Sequence, residues 1–195
     1  MQDVHAKGAG SMRGKCSVVA WTCAVAGLAA AAWASPGIAA AFLNLPGIPG
    51  ESTNEGHAGQ IDILSHDLSL VVPPTTTGTG RGAARLSCPP VTLWKNMDAS
   101  SLILAKKLIQ GVHIPQAVLT FQKDGAEQRE FYVIKLQEVF VTEFSQSSSA
   151  DATRVLEKVV LKARKYEFEY RPQSTNGGAG GSIKMAWDCV TYDVF

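Results

Sequence analysis

The chain has 195 residues, 46% of them hydrophobic and 18% charged, with a formal net charge of +1. That length suffices for one domain with its own core plus a targeting segment. Beyond residue 41 the balance is 15 basic against 16 acidic residues, a net charge of −1, and such a near-neutral surface without a basic stripe excludes nucleic acid and anionic membranes as electrostatic partners.

Residues 1–41 have the three parts of a secretory signal. A weakly basic start ends at Lys15, an apolar stretch runs from Cys16 to Ala34, and small residues then offer Ala32-Trp33-Ala34 or Ala39-Ala40-Ala41 for cleavage. The apolar run is nearly long enough to span a bilayer, but it is rich in alanine and closed by Pro36-Gly37, which favours a cleaved signal over an anchor. The second site would leave Phe42 as the new N-terminus, and the domain boundary is drawn there: a signal-like segment over 1–41 and a folded domain over 42–195. Cleavage makes the mature protein secreted or periplasmic, with no membrane association; a chain that does not use the extension stays cytoplasmic before secretion. It also removes Cys16 and Cys23, leaving Cys88 and Cys189. In an exported chain these two could form one bridge, closing a loop of about 100 residues and stabilising by roughly 4 kcal/mol in the chain-entropy picture. Two separate buried thiols satisfy the same composition.

The folded part opens with a short strand from Phe42 to Leu45, a Pro/Gly turn and a polar loop. A second extended stretch holds Ile61, Ile63 and the run Leu68 to Val72. Pro73 to Ala83 reads as a Gly/Thr loop, whose glycines complete neither nucleotide fingerprint. Arg85 to Leu93 is extended, interrupted by Pro89-Pro90. A helix of about three turns follows, with Asp98 able to cap its start and Gly111 its end. Leu102, Ala105 and Ile109 fall on one face, with Leu104 and Leu108 beside them, and that face is expected to meet the core.

From there the period is two. Ala117, Leu119 and Phe121 lead to a hairpin turn at Lys123-Asp124-Gly125, and Glu130 to Phe144 returns as a long strand. Its apolar set switches from Tyr132, Ile134 and Leu136 to Val139 and Val141, which signals a bulge. After the polar loop Ser145 to Ala152, the stretch Val155 to Arg171 places Tyr166, Phe168 and Tyr170 on one face and Lys165, Glu167, Glu169 and Arg171 on the other. Beyond the Gly-rich loop Asn176 to Gly181, Ser182 to Thr191 supplies a last strand. Antiparallel strands with one helix predict a mainly β fold, a small two-sheet barrel or sandwich with a flanking helix.

Catalytic and metal chemistry find little support. His57, Asp62, His66 and Asp67 lie close in sequence, but their spacing matches no zinc pattern; surface or loop-capping roles fit them better. His113 beside Pro115 reads as a turn or strand-edge residue. No Gly-x-Ser-x-Gly elbow accompanies the available Ser, His and Asp residues, and Glu167 with Glu169, set among cations, is a solvated or interface surface rather than a glycosidase pair. The expectation is a protein without enzymatic activity, cofactor or metal.

The order of local patterns carries a resemblance. Gly50-Glu51-Ser52, then His57, then Ile61-Asp62-Ile63-Leu64-Ser65 resembles the opening of the haemolysin-coregulated (Hcp) proteins, the tube subunits of bacterial type VI secretion systems. Ala99 to Gly125 resembles the family's helix, its Gly-x-His-x-Pro-x-Ala step (Gly111, His113, Pro115, Ala117) and the hairpin after it. Phe131 to Phe144, Glu157 to Gln173 and Met185 to Cys189, with Trp187-Asp188, resemble the later strands. The resemblance implies a two-sheet β-barrel flanked by one helix, self-assembly into hexameric rings that stack into a tube, and spike, sheath and effector proteins as partners. The alternative is an exported β-barrel binding module that keeps the fold and has no tube role.

Overall fold

The computed structural model describes residues 38–72, 87–123, 129–148, 153–172 and 181–195. The signal-like segment up to residue 37, the Pro73–Ala83 loop, most of the Asn176–Gly181 loop, the Asp124-Gly125 turn and residues 149–152 lie outside them. The described elements are β1 (Ile38–Asn44), β2 (Ile61–Ile63), β3 (Ser65–Leu68), β4 (Val91–Asn96), α1 (Ser101–Gln110), β5 (Ile114–Lys123), β6 (Glu130–Ser147), β7 (Leu156–Lys162), β8 (Lys165–Tyr170) and β9 (Ile183–Asp188). Among the described residues the fold is mainly β and antiparallel with one flanking helix, as the alternation predicts.

The strands form two sheets that share β6. One runs β2-β1-β5-β6-β8-β9, the other β3-β4-β7-β6. Leu64 joins β2 to β3 and donates its N–H to the Trp94 carbonyl at 2.8 Å, so the circuit of strands closes into a barrel, which protects edges that an open sheet would expose. Inside lie Leu43, Ile61, Leu93, Leu119, Phe121, Leu136 and Leu161, each at most 1% exposed.

Several sequence expectations shift. The first strand begins at Ile38 rather than Phe42, because Ile38, Ala40 and Ala41 pair with Lys123, Gln122 and Phe121 of β5. The second stretch is two short strands; Leu70, Val71 and Val72 continue neither and are exposed. Val155 to Arg171 divides at Ala163-Arg164 into β7 and β8, since both strands pair along the same side of β6 in succession. The burial switch in β6 is real: Glu138 sits at φ 53°, and the buried set passes from Ile134 and Leu136 to Val139 and Val141.

The helix ends at Gly111 in the left-handed region, as predicted, but its N-cap is Ser100 without a side-chain cap bond; Asp98, expected as the cap, accepts the Ser100 N–H at 2.8 Å instead. Its core-facing side is different. Ser101 and Leu104 are buried, whereas Leu102 and Ile109 are 72% and 85% exposed. Ser101 sets this rotation, because its hydroxyl donates to the buried Glu157 carboxylate at 2.7 Å. A polar anchor overrides the apolar stripe.

Candidate functional site

The register of β6, β8 and β9 builds a sheet with two contrasting faces. Residues directly opposite one another share a face. Leu136, Tyr166 and Trp187 are opposite in sequence, as are Ile134, Phe168 and Met185, and Tyr132, Tyr170 and Ile183. The result is a three-by-three apolar grid. Its first row is core: Tyr166 is 1% exposed, and its ring stacks on Trp187 with centroids 5.4 Å apart. Burial pushes the Tyr166 phenol above its ordinary pKa, and its hydroxyl donates to the Pro89 carbonyl at 2.6 Å. The far end of the grid runs out of cover. Tyr170 is 43% exposed, Met185 41% and Ile183 65%. The aromatics that share this face therefore divide: Tyr166 and Phe168 are core, and Tyr170 is surface.

The opposite face is ionic. Lys135 donates to Glu167 at 2.9 Å, and Arg171 donates to Glu169 at 2.9 Å and to Glu130 at 3.0 Å. Lys184 stands 3.6 Å from Glu169, and His57 3.7 Å from Glu130. The hydrogen bond from Arg171 holds the Glu169 carboxyl below its ordinary value against the burial that opposes it, and Glu169 in turn raises Arg171. These pairs run across β6, β8 and β9 on the face that also carries Val133 and Ala186, and they reinforce the strand register there.

A second polar cluster is buried. Lys95 is 1% exposed, and its ammonium donates to Glu157 at 2.8 Å, Ser101 at 3.1 Å and the Asn96 carbonyl at 2.8 Å, with Asp98 at 2.9 Å. Glu157, fully buried, also accepts from Gln146 at 2.8 Å. Each charge is paired and hydrogen-bonded, the condition under which a buried ion pair persists. The cluster ties β4, β7, β6 and the start of α1 together. Sequence reasoning passed over these residues, yet a signal existed: period two places Lys95 on the inward face with Val91 and Leu93, and Glu157 with Val159 and Leu161.

The Gly50 to Ser65 motif resolves into packing. A Cβ on Gly50 would overlap the Gln60 carbonyl, and the Gly50 N–H donates to Gly59 at 2.9 Å. Glu51 accepts the Ala99 N–H at 3.1 Å, tying this loop to the approach to α1. Ser52 is buried and donates its N–H to Gln60. His57 is 4% exposed and stacks on Phe42 with centroids 4.2 Å apart, so it plugs the loop against β1. Ile61 is core, while Asp62, Leu64 and Ser65 face outward. His66 is half-buried against Phe121; burial lowers its pKa, opposed by the Asp67 carboxylate. The four residues weighed as metal ligands thus go separate ways, and among the described residues no group of three or more such side chains converges. His113 and Pro115 are exposed at the start of β5, with the His113 ring 6.0 Å from Phe140.

The C-terminal end is held by backbone and sulfur. Asp188 accepts the N–H groups of Val190 and Thr191 at 2.8 and 3.2 Å. Burial would raise its carboxyl, but those two N–H groups, with Arg164 and Lys165, outweigh it and hold the pKa low. Cys88 and Cys189 stand with Cα atoms 5.4 Å apart and are joined through their sulfurs. A recess of about 530 Å³ beside the Lys95 cluster is lined by Glu51, Asp62, Asp98, Thr153 and Arg154.

Comparison with known proteins agrees with this architecture. The family model described as type VI secretion system effector, Hcp, matches residues 42–170. Protein Hcp1 of Pseudomonas aeruginosa is 32% identical over 150 residues, covering 75% of this chain and 93% of its own. A solved type six secretion system protein superimposes with a TM-score of 0.73 at 26% identity, over 80% of this chain and 99% of that one. Hcp1 from Salmonella typhimurium gives 0.67 at 27% identity, over 80% and 98%.

Proposed function

The chain belongs to the Hcp family of type VI secretion tube proteins, which are structural proteins rather than enzymes, and from that premise we propose that its domain assembles into six-membered rings that stack into a tube. The observation that carries the reading is the uncovered end of the apolar grid. Tyr170, Ile183 and Met185 continue a core face into solvent, and contiguous exposed apolar surface marks an interaction site. A neighbouring copy covers it in a heterologous contact, which closes into a ring when the rotation per subunit is one sixth of a turn. Sheath, spike and effector proteins of a type VI system are the partners such a tube implies.

Where the segment before the domain is used, it acts as a cleaved export signal; a chain that does not use it stays in the cytoplasm, where a type VI tube is assembled. A cut after Ala41 would sever β1 within its pairing to β5, between Ala41 and Phe42. The upstream site, Ala32-Trp33-Ala34, keeps the strand whole and is the cut we favour. The second reading is an exported barrel that binds ligands as a monomer, and the observations favouring it are the signal-like start and the Cys88–Cys189 bond. Light scattering with electron microscopy of the exported, processed protein separates the two. Six-fold rings support the tube subunit, and a monomer at high concentration supports the module.

A further inference from the structure

We propose that Cys88–Cys189 is a covalent clamp, formed after export, that locks the C-terminal arm (residues 183–195) onto the barrel. The proposal rests on the exported reading above, and it is independent of whether rings form.

The arm is held through β9, while its tail is exposed. Among the described residues β9 pairs with β8 on one side, and on the other it pairs with the arm's own tail. Ala186 and Phe195 exchange N–H···O bonds at 2.7 and 2.9 Å, and Asp188 donates to Asp193 at 3.0 Å. β9 is therefore held by its six-residue ladder to β8 and by buried Trp187, whereas the tail beyond Cys189 folds back on β9 itself. Trp187, Asp188 and Cys189 are buried, but Ile183, Val190, Val194 and Phe195 are 62–72% exposed. An edge strand with an exposed tail opens at lower free energy than the central strands of a sheet.

The sulfur bond adds a covalent tie to this noncovalent attachment. Cys88 precedes Pro89, whose carbonyl accepts from Tyr166; Tyr166 stacks on Trp187; and the Cys189 N–H donates to Arg164 at 2.9 Å. Bond, hydrogen bond and ring stack form one closed circuit linking the start of β4 to the end of β9. The Cα separation of 5.4 Å falls within the range a disulfide spans, and the sequence separation of 101 residues makes this a staple across most of the domain. Cys88 and Cys189 are also the cysteines that remain beyond the signal-like segment, an even pair.

The chemistry needs an oxidant, and export provides the compartment that holds one. The thiolate of one cysteine attacks the mixed disulfide that its partner forms with a carrier protein. Overall the two thiols lose two electrons and two protons, and the carrier disulfide is reduced to a dithiol.

The test compares the chain exported with its own N-terminal segment against a leaderless chain starting at Ile38 and retained in a reducing cytoplasm. Each is alkylated under denaturing, non-reducing conditions and weighed intact. The exported protein is expected to take up no alkyl group and the retained one two. Amide exchange is then followed on the folded, exported protein before and after reduction, within one oligomeric state. Exchange across 183–195 is expected to rise at least about tenfold on reduction, with β4 and β7 unchanged. Using reduction rather than Cys88→Ser avoids a variant that fails to fold. Free thiols in the exported protein, or arm exchange indifferent to reduction, would overturn the proposal. A monomer with an intact clamp would count against the tube reading alone.

Discussion

Replacing Lys95 with Met tests the buried charge cluster most sharply. The substitution keeps side-chain volume but strips the Glu157 carboxylate, which is fully buried, of its ammonium partner. Ser101 and Gln146 still donate to it, but they leave a net charge inside the barrel. Breaking a buried pair from one side costs about 3–5 kcal/mol, a large part of the roughly 5–15 kcal/mol that holds a domain folded. Glu157→Leu is expected to cost nearer the lower end, about 3 kcal/mol, because Lys95 retains Asp98 at 2.9 Å. The double variant removes both charges and should recover at least about 1 kcal/mol relative to Lys95→Met alone. Urea unfolding of all four proteins, with oligomeric state held constant, reads the cycle; a slope of about 2 kcal/mol per molar converts the Lys95→Met loss into a midpoint shift of roughly 2 M. A Lys95→Met loss under about 1 kcal/mol, or a double variant as unstable as the sum of the singles, would refute the argument that these charges depend on each other.

Three further outcomes are expected. Ile183→Lys, at a site already 65% exposed, should leave the urea midpoint of the monomer nearly unchanged while lowering the ring fraction by light scattering; retained rings would move the contact elsewhere. Gly50→Ala must displace the Gln60 backbone and should cost more than about 1 kcal/mol, read as a lower thermal midpoint, with an unchanged midpoint showing that the loop yields freely. The third concerns acid. A carboxylate held at a depressed pKa contributes stability that is present above its unfolded value and is lost as pH falls through the folded one. Glu169, lowered from 4.5 chiefly by the Arg171 hydrogen bond, should therefore make stability fall below that pH. Glu169→Gln should flatten the fall, and an unchanged slope in unfolding curves would remove Glu169 as its source.

The alternation of Tyr166, Phe168 and Tyr170 and the antiparallel return of β6 along β5 were legible because period two is local. So was the helix end at Gly111. What escaped was the result of contacts distant in sequence. The helix faces inward through Ser101, not Leu102 and Ile109, because Glu157 lies 56 residues away. Tyr170 is surface because its partner Ile183 lies at the open end of the sheet. The motif from Gly50 to His57 was visible as a pattern, but its content is structural: a close backbone approach, a tether from Glu51 and an imidazole stacked on Phe42. Lys95 and Glu157 could have been found by asking which faces of β4 and β7 their positions share with Val91, Leu93, Val159 and Leu161.

The central claim is assembly through the uncovered apolar face of β8 and β9. Electron microscopy of the exported, processed protein, with molar mass from light scattering on the same sample, tests it directly. Six-fold rings with a mass six times that of the subunit are expected. A monodisperse monomer at high concentration would contradict the claim, leaving a barrel that shares the family's architecture and serves another task.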